Sequence, residues 1–336
     1  MKFADMHCDT ISELYRKKKL GSQESLYENS GHIDLKKLKA GGALLQNFAL
    51  FVNRERAEDP MEEALEMADL YYEELAANSH LIAPVRSYGD IEENRREGRI
   101  SALLTVEEGG VCKGSPAQLR NLYRLGVRMM TLTWNYPNEI GYPAFSAQAF
   151  SHPDGDGALL YKKADMEHGL TERGRELVAE MERMGMIIDV SHLSDRGFYD
   201  VLEVTGKPFV ASHSNARAVC PWVRNLTDDM IRRLAERGGV IGLNFCSDFL
   251  AEAAMGQPVP DTLEAVAAHA EHIIRVGGVE CLGLGSDFDG IPTPSELPDY
   301  SYMPRLAEAL ENRGMRQGDM EKIFSGNVLR VYREVI

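Results

Sequence analysis

The chain has 336 residues, of which 44% are hydrophobic and 26% charged, the proportions of a globular protein with ample apolar material for a core. Lys and Arg number 37 against 52 Asp and Glu, a net charge of −15, which argues against a nucleic-acid surface or an anionic-lipid surface. Cys8, Cys112, Cys220, Cys246 and Cys281 are odd in number and form no Cys-x-x-Cys pair, so free thiols in a reducing compartment are expected. Met1-Lys2-Phe3-Ala4-Asp5 lacks the apolar run of ~7–15 residues of a signal peptide, and no stretch reaches the ~18 apolar residues of a membrane span. A cytoplasmic protein without membrane contact is the expectation.

Short apolar runs of strand length recur along the chain, several with Gly or Pro just before them. They are Lys2–His7, Ala43–Phe51, Ile100–Val106, Val127–Thr133, Met186–Val190, Pro208–Ala211, Val240–Asn244 and Cys281–Gly285. Between them Glu62–Ala77, Pro116–Leu125, Thr171–Met184, Asp195–Thr205, Thr227–Arg237 and Thr262–Val276 carry helical spacing, several opening on a capping Ser, Thr or Asp. Eight strands alternating with helices predict an α/β fold, a single TIM-like (β/α)8 barrel domain over residues 1–336; such barrels routinely exceed ~250 residues. The competing open, doubly wound sheet usually has a glycine-rich turn after its first strand, where this chain has His7-Cys8-Asp9-Thr10.

In a barrel enzyme the reactive groups stand at the C-terminal ends of strands. The first run ends in His7-Cys8-Asp9, whose imidazole and carboxylate share one side of the pleat and suit a zinc-like ion, although so short a pair arises often by chance. The third ends in Glu107-Glu108-Gly109-Gly110, where a carboxylate with two oxygens could bridge two ions or simply be a solvated turn. The fifth and sixth runs both end in Ser-His, at His192 and His213, a matched placement that points to metal ligation. Arg224 offers the planar fork suited to a substrate carboxylate, its bland alternative being a pair with Asp228 or Asp229. Asn244 ends the seventh run and points to the rim as a candidate substrate contact, its bland alternative being a local turn bond, and Asp287 follows the eighth, placed to move a proton. His32, His80, His152 and His168 fall in loops or helix ends, and His269 and His272 read as a helix surface.

His7-x-Asp9, Val106-Glu107 with its Gly pair, Asp189-Val190-Ser191-His192, Ser212-His213-Ser214 with Arg224-Asn225, and Gly285-Ser286-Asp287-Phe288-Asp289-Gly290 occur in this order. Together with the closing Gly326-Asn327-Val328-Leu329-Arg330-Val331 they resemble the membrane dipeptidase (renal dipeptidase) family of zinc peptidases, over nearly the whole chain. The resemblance implies two Zn2+ ions, His7 and Asp9 on the first, His192 and His213 on the second, and Glu107 bridging them. It makes Asp287 the acid/base and Arg224 the holder of a dipeptide's free carboxylate, often that of a D-residue. Attack would come from a hydroxide shared by the ions, and activity would fall at acid pH as the histidines protonate. A homodimer is compatible with the resemblance.

Two features depart from the family's pattern. Trp134 stands where the family commonly has a substrate-contacting His, and Glu108 beside Glu107 leaves a one-residue choice, with Glu107 preferred because it directly follows Val106. Trp134 keeps open a related hydrolysis of a lactone, cyclic amide or phosphoester. A non-catalytic metal- or ligand-binding barrel is the reading from another class, and the presence of Asp287 and Arg224 weighs against it.

Overall fold

A computed structural model of the chain describes residues 1–145, 161–252 and 258–336. Its strands are β1 (Phe3–Asp5), β2 (Ala43–Phe51), β3 (Ile82–Val85), β4 (Ile100–Glu107), β5 (Met129–Thr131), β6 (Ile187–Asp189), β7 (Val210–Ala211), β8 (Val240–Leu243) and β9 (Leu282–Leu284). Every pairing among them is parallel. β1 pairs with β2 and β9, β2 with β4, and β4 leads through β5, β6, β7 and β8 back to β9, so eight strands close a (β/α)8 barrel. β3 is a supplement: it pairs with the Ile100–Leu103 half of β4, while β5 takes the Thr105–Glu107 half.

The expected strands are all present, several trimmed at their C-terminal ends where the chain leaves the ladder to build the rim. The helices are α1 (Thr10–Lys19), α2 (Leu35–Gly41), α3 (Pro60–Ala77), α4 (Tyr88–Arg96), α5 (Pro116–Leu125), α6 (Glu172–Met184) and α7 (Asp195–Val204). They continue with α8 (Asp228–Glu236), α9 (Ser247–Leu250), α10 (Thr262–Gly277), α11 (Met303–Asn312), α12 (Gln317–Glu321) and α13 (Asn327–Val335). Those starting α5 to α8 share one device: Ser115, Thr171, Ser194 and Thr227 each accept a hydrogen bond from a first-turn backbone N–H. Each such cap contributes about 1 kcal/mol.

Two apolar layers hold the barrel. The larger lies between strands and surrounding helices and includes Phe48, Tyr71, Phe198, Phe209 and Phe324. The smaller fills the barrel's lower interior, where Met6, Leu45, Leu103, Met129, Ile187 and Val210 meet Val328, Val331 and Tyr332 of α13. Asn47 Nδ2 donates to Tyr332 Oη at 2.6 Å and to Met6 O at 2.9 Å, tying that helix to the strands above it.

His269 and His272 correct the sequence reading, because α10 turns them inward instead of to solvent. Ala216 N donates to His269 Nδ1 and His269 Nε2 bonds Leu250 O, both at 3.0 Å, so this ring staples two loops. Burial lowers its pKa to about 4, keeping it neutral. His272 Nε2 meets Asp228 at 2.6 Å. His152 lies outside the described residues.

Candidate active site

Because all eight barrel strands run the same way, their C-terminal ends form one rim. His7 and Asp9 follow β1, Glu107 closes β4, His192 follows β6, His213 follows β7 and Asp287 follows β9. All six are buried, none more than 9% exposed. His7 Nε2 lies 3.4 Å from Asp9 Oδ2 and 3.3 Å from Glu107 Oε2. The other Glu107 oxygen, Oε1, lies 3.1 Å from His192 Nε2 and 3.8 Å from His213 Nε2. Asp287 Oδ1 is 3.8 Å from His7 Nε2. Glu107 therefore belongs to two ligand trios, one with His7 and Asp9 and one with His192 and His213, the donor atoms of each within 4.8 Å of one another.

Hydrogen bonds on the far side of each ring set the tautomers. His192 Nδ1 donates to Asn135 Oδ1 at 2.8 Å. Ser212 Oγ gives its hydrogen to Asp189 Oδ2 at 2.5 Å, so it accepts from His213 Nδ1 at 2.7 Å. Both rings thus aim a bare Nε2 inward, and these two nitrogens are 3.0 Å apart. Burial brings the His192 pKa down to about 4 and that of His213 well below the usual range. Burial also pulls down on His7, but Glu107 and Asp9 more than offset it and raise its pKa well above 6.5. Burial pushes Glu107 up, and the His7 and His192 rings pull it further down, below the ordinary carboxylate range.

This set fits divalent metal. Both ring nitrogens of His7 and Asp9 Oδ1 are buried without a hydrogen-bond partner; the nearby carboxylates attract His7 Nε2 without aligning as bonds to it. Each such group costs about 1–3 kcal/mol unless something coordinates it. Two facing lone pairs at the histidines require the same, and the imidazole-carboxylate mixture is that of a zinc-like ion.

Glu108, the adjacent acid, is held apart from the trios. Its φ of +88° turns the side chain away from the trios. It accepts instead from Trp134 N at 2.8 Å, Asn138 Nδ2 at 2.6 Å and Gly110 N at 2.9 Å. His192 and Asp287 also hold positive φ, +67° and +65°, backbone strain concentrated at the rim.

Burial pushes the Asp287 carboxyl up to about 7, with Asp9 and Glu107 adding to the rise and His7 opposing it. Asn244 Nδ2 donates to Asp287 Oδ2 at 2.9 Å and to His213 O at 3.3 Å, while its oxygen accepts from Cys246 N. Asn244, expected at the substrate rim, stands there with its amide bonded to Asp287, which it orients. The turn is pinned further by His32, whose N–H donates to Asp289 Oδ1 and whose Nδ1 accepts from Asp289 N at 2.9 Å.

Arg224 is 2% exposed and has no carboxylate partner among the described residues. Its Nη1 donates to Ser214 Oγ at 3.3 Å and its Nη2 to His213 O at 3.1 Å, leaving Nε unbonded. Trp134 is half-buried, its ring 6.4 Å from that of His192 and 4.9 Å from Phe51, so it forms a wall beside the trios. Asp5, Asn135, Asp189 and Ser212 were not assigned from sequence. One signal was available: Asp5 and Asp189 each end a strand and accept from the N–H two residues on, at His7 and Ser191.

Residues 1–336 match the model of the membrane dipeptidase family, peptidase family M19. The chain belongs to this family. Its membership makes the protein a metallopeptidase-type hydrolase of peptide bonds, and removes the non-catalytic reading. Among similar solved structures is a membrane dipeptidase family member described as a dipeptidase and metallo peptidase, 29% identical with a TM-score of 0.88, covering 100% of this chain and 98% of that one. Another is a metallo peptidase from Rhodobacter sphaeroides liganded with a phosphinate mimic of the dipeptide L-Ala-D-Ala, 28% identical, TM-score 0.87, covering 100% and 99%. The dipeptidase tcpJ of Claviceps purpurea is 33% identical over 316 residues, 91% of this chain and 70% of its own. An uncharacterised dipeptidase of Schizosaccharomyces pombe is 33% identical over 350 aligned positions, 99% of this chain and 80% of its own. Despite the family's name, no helix among the described residues is long and apolar enough to cross a membrane.

Proposed function

We propose that this dipeptidase hydrolyses free dipeptides, accepting a D-residue at the C-terminal position, with two zinc ions held by His7, Asp9, Glu107, His192 and His213. The observation that carries the reading is Glu107, whose two oxygens each face a separate histidine-containing trio. Metal held by these residues would supply Lewis-acid activation of water and of the scissile carbonyl.

The chain's own residues supply the rest. Arg224, buried with an unspent donor, binds the substrate's terminal carboxylate, which favours dipeptides over longer chains. Asp287, on the rim with Oδ1 3.8 Å from His7 Nε2, can take a proton on one oxygen and return it to the departing amine. Asn244 holds the other Asp287 oxygen, so the proton-carrying oxygen is fixed in direction. Asn135 and Ser212 keep the inward nitrogens of His192 and His213 free of protons. Trp134 and Phe51 pack together as one wall of the rim. Acceptance of a D-residue draws support from the L-Ala-D-Ala mimic held by the Rhodobacter sphaeroides relative. The five free thiols support a cytoplasmic location.

The test is a panel of L,L- and L,D-dipeptides assayed after chelation and after zinc is restored, with metal analysis of the same samples. About two zinc ions per chain and L,D turnover at least equal to L,L are expected. One ion per chain, or activity unaffected by chelation, would overturn the two-zinc reading. Turnover confined to L,L substrates would remove the acceptance of a D-residue.

A further inference from the structure

The end of the barrel where the strands begin carries a feature that dipeptide hydrolysis does not use. A cavity of about 500 Å3 opens there, between the starts of β1 to β4 and helices α2 and α4. That size lies within the ~300–1,000 Å3 common for small-molecule sites. Its walls are apolar: Leu35 from α2, Leu44 from β2, Leu81 just before β3 and Ile100 at the start of β4. Ile100 and Glu107 are the first and last residues of β4, ~23 Å apart along an extended strand, so the cavity is remote from the metal trios.

The charged lining is of one sign. Lys2, Lys39, Arg95 and Arg99 surround the hollow, and no acidic residue lines it. Among the described residues, Lys2, Lys39 and Arg95 pair with no carboxylate. Arg99 meets Glu97 at 2.5 Å through Nη2, but its Nε is buried with no partner. Lys39 and Arg95 stand in the last turns of α2 and α4, where a cation complements the helix dipole. The dipole does not account for Lys2 and Arg99, which lie at strand entries. Nor does it account for four cations converging on one apolar hollow in a chain of net charge −15.

We propose that this cavity binds a small amphiphilic anion. A singly or doubly charged head group sits among Lys2, Lys39, Arg95 and Arg99, and a short alkyl or aryl body lies on Leu35, Leu44, Leu81 and Ile100. The head group pairs with those cations, three of them exposed, and the body covers the part of the apolar wall that still meets water, at roughly 25 cal/mol per Å2 of area covered.

Calorimetric titration of the zinc-loaded full chain with 1-decanesulfonate tests this, sulfonate being a poor metal ligand. One site per chain is expected at 0.15 M salt, tightening from hexane- to decanesulfonate. Binding should weaken at least tenfold in the double variant Lys39→Glu, Arg95→Glu, with dipeptidase activity unchanged, and should be unaltered in Arg224→Ala. Should the double variant fail to fold, Lys2→Glu carries the same test with an expected loss of threefold or more. Equal binding in wild type and variant, or no binding, would overturn the proposal. So would loss in Arg224→Ala, which would place the anion at the catalytic rim, or affinity independent of alkyl length, which would reduce the effect to counter-ion attraction. Sedimentation with anionic phospholipid vesicles without binding of the soluble sulfonate would assign the face to a membrane and likewise overturn it.

Discussion

The Nε2 atoms of His192 and His213 lie 3.0 Å apart with no proton to share, because Asn135 and Ser212 hold each ring's hydrogen on its far side. Two neutral imidazoles facing in this way, with Glu107 Oε1 3.1 Å from one of them, form a site that repels itself until a cation enters.

That makes stability depend on metal and pH together. In chelated protein, Asp287, raised from 3.8 to about 7, weakens the fold progressively as pH rises from 3.8 to 7, where the unfolded chain has ionised and the fold has not. His7, raised above 6.5, contributes stability below 6.5 that is lost as pH climbs through its folded value. From pH 6.5 to 7 both act in one direction, and above 7 His7 carries the fall alone; the neutral His192 no longer contributes a slope there. Thermal melts in chelator should therefore fall between pH 6.5 and 8, whereas zinc-loaded protein should show no such fall. Parallel curves would refute this coupling.

Asp287→Asn keeps the shape and the positive φ, which Asn tolerates. Turnover should drop ~100- to 10,000-fold, the usual worth of a general acid–base, with metal content unchanged by elemental analysis. Near-normal kcat would show that another group moves the proton.

Arg224→Ala removes a charged donor whose bonds to a carboxylate contribute about 1.5–3 kcal/mol. KM for free dipeptides should rise ~10- to 150-fold, with little change for C-terminally amidated substrates. An equal rise for both would show a packing role only.

Gly290→Ala tests the close approach of the Asp287 turn to β1. A Cβ at Gly290 would overlap Asp9 Oδ2 and lie 2.7 Å from Asp287 Oδ1. Overpacking of this kind costs about 1–3 kcal/mol. The expected result is a folded protein by circular dichroism that has lost the ion of the His7–Asp9 side. Two retained ions would show that the turn moves aside freely.

Glu108→Ala frees Trp134 N and removes one of two acceptors of Asn138 Nδ2, loosening the segment that carries Asn135. His192 should lose its fixed tautomer, seen in metal-free protein as a broadened or absent Nδ1–H proton resonance. Glu108→Gln, which keeps an acceptor, should restore it. A sharp resonance in the alanine variant would separate Glu108 from His192.

The eight barrel strands were legible because parallel strands buried on both faces read as unbroken apolar runs. β3 was not: it is four residues long and contains Pro84, which demotes a run on sequence grounds. The metal-type residues were legible because each ends a strand, so their convergence follows from the barrel itself. The choice between Glu107 and Glu108 was not, since it turns on one backbone angle. Asn135 and Ser212 act through single hydrogen bonds that leave no spacing pattern. For His269 and His272 the i, i+3 spacing identified a shared face but not which way it pointed.

The helix Asn327–Val335, which closes the barrel from below through Val328, Val331 and Tyr332, is translated after every strand it covers. A nascent chain that has already emerged past His213 possesses every proposed zinc ligand, yet its barrel still has no floor. Capture of metal before that helix is made would thus load an unfinished vessel, and lasting retention has to await Asn327–Val335.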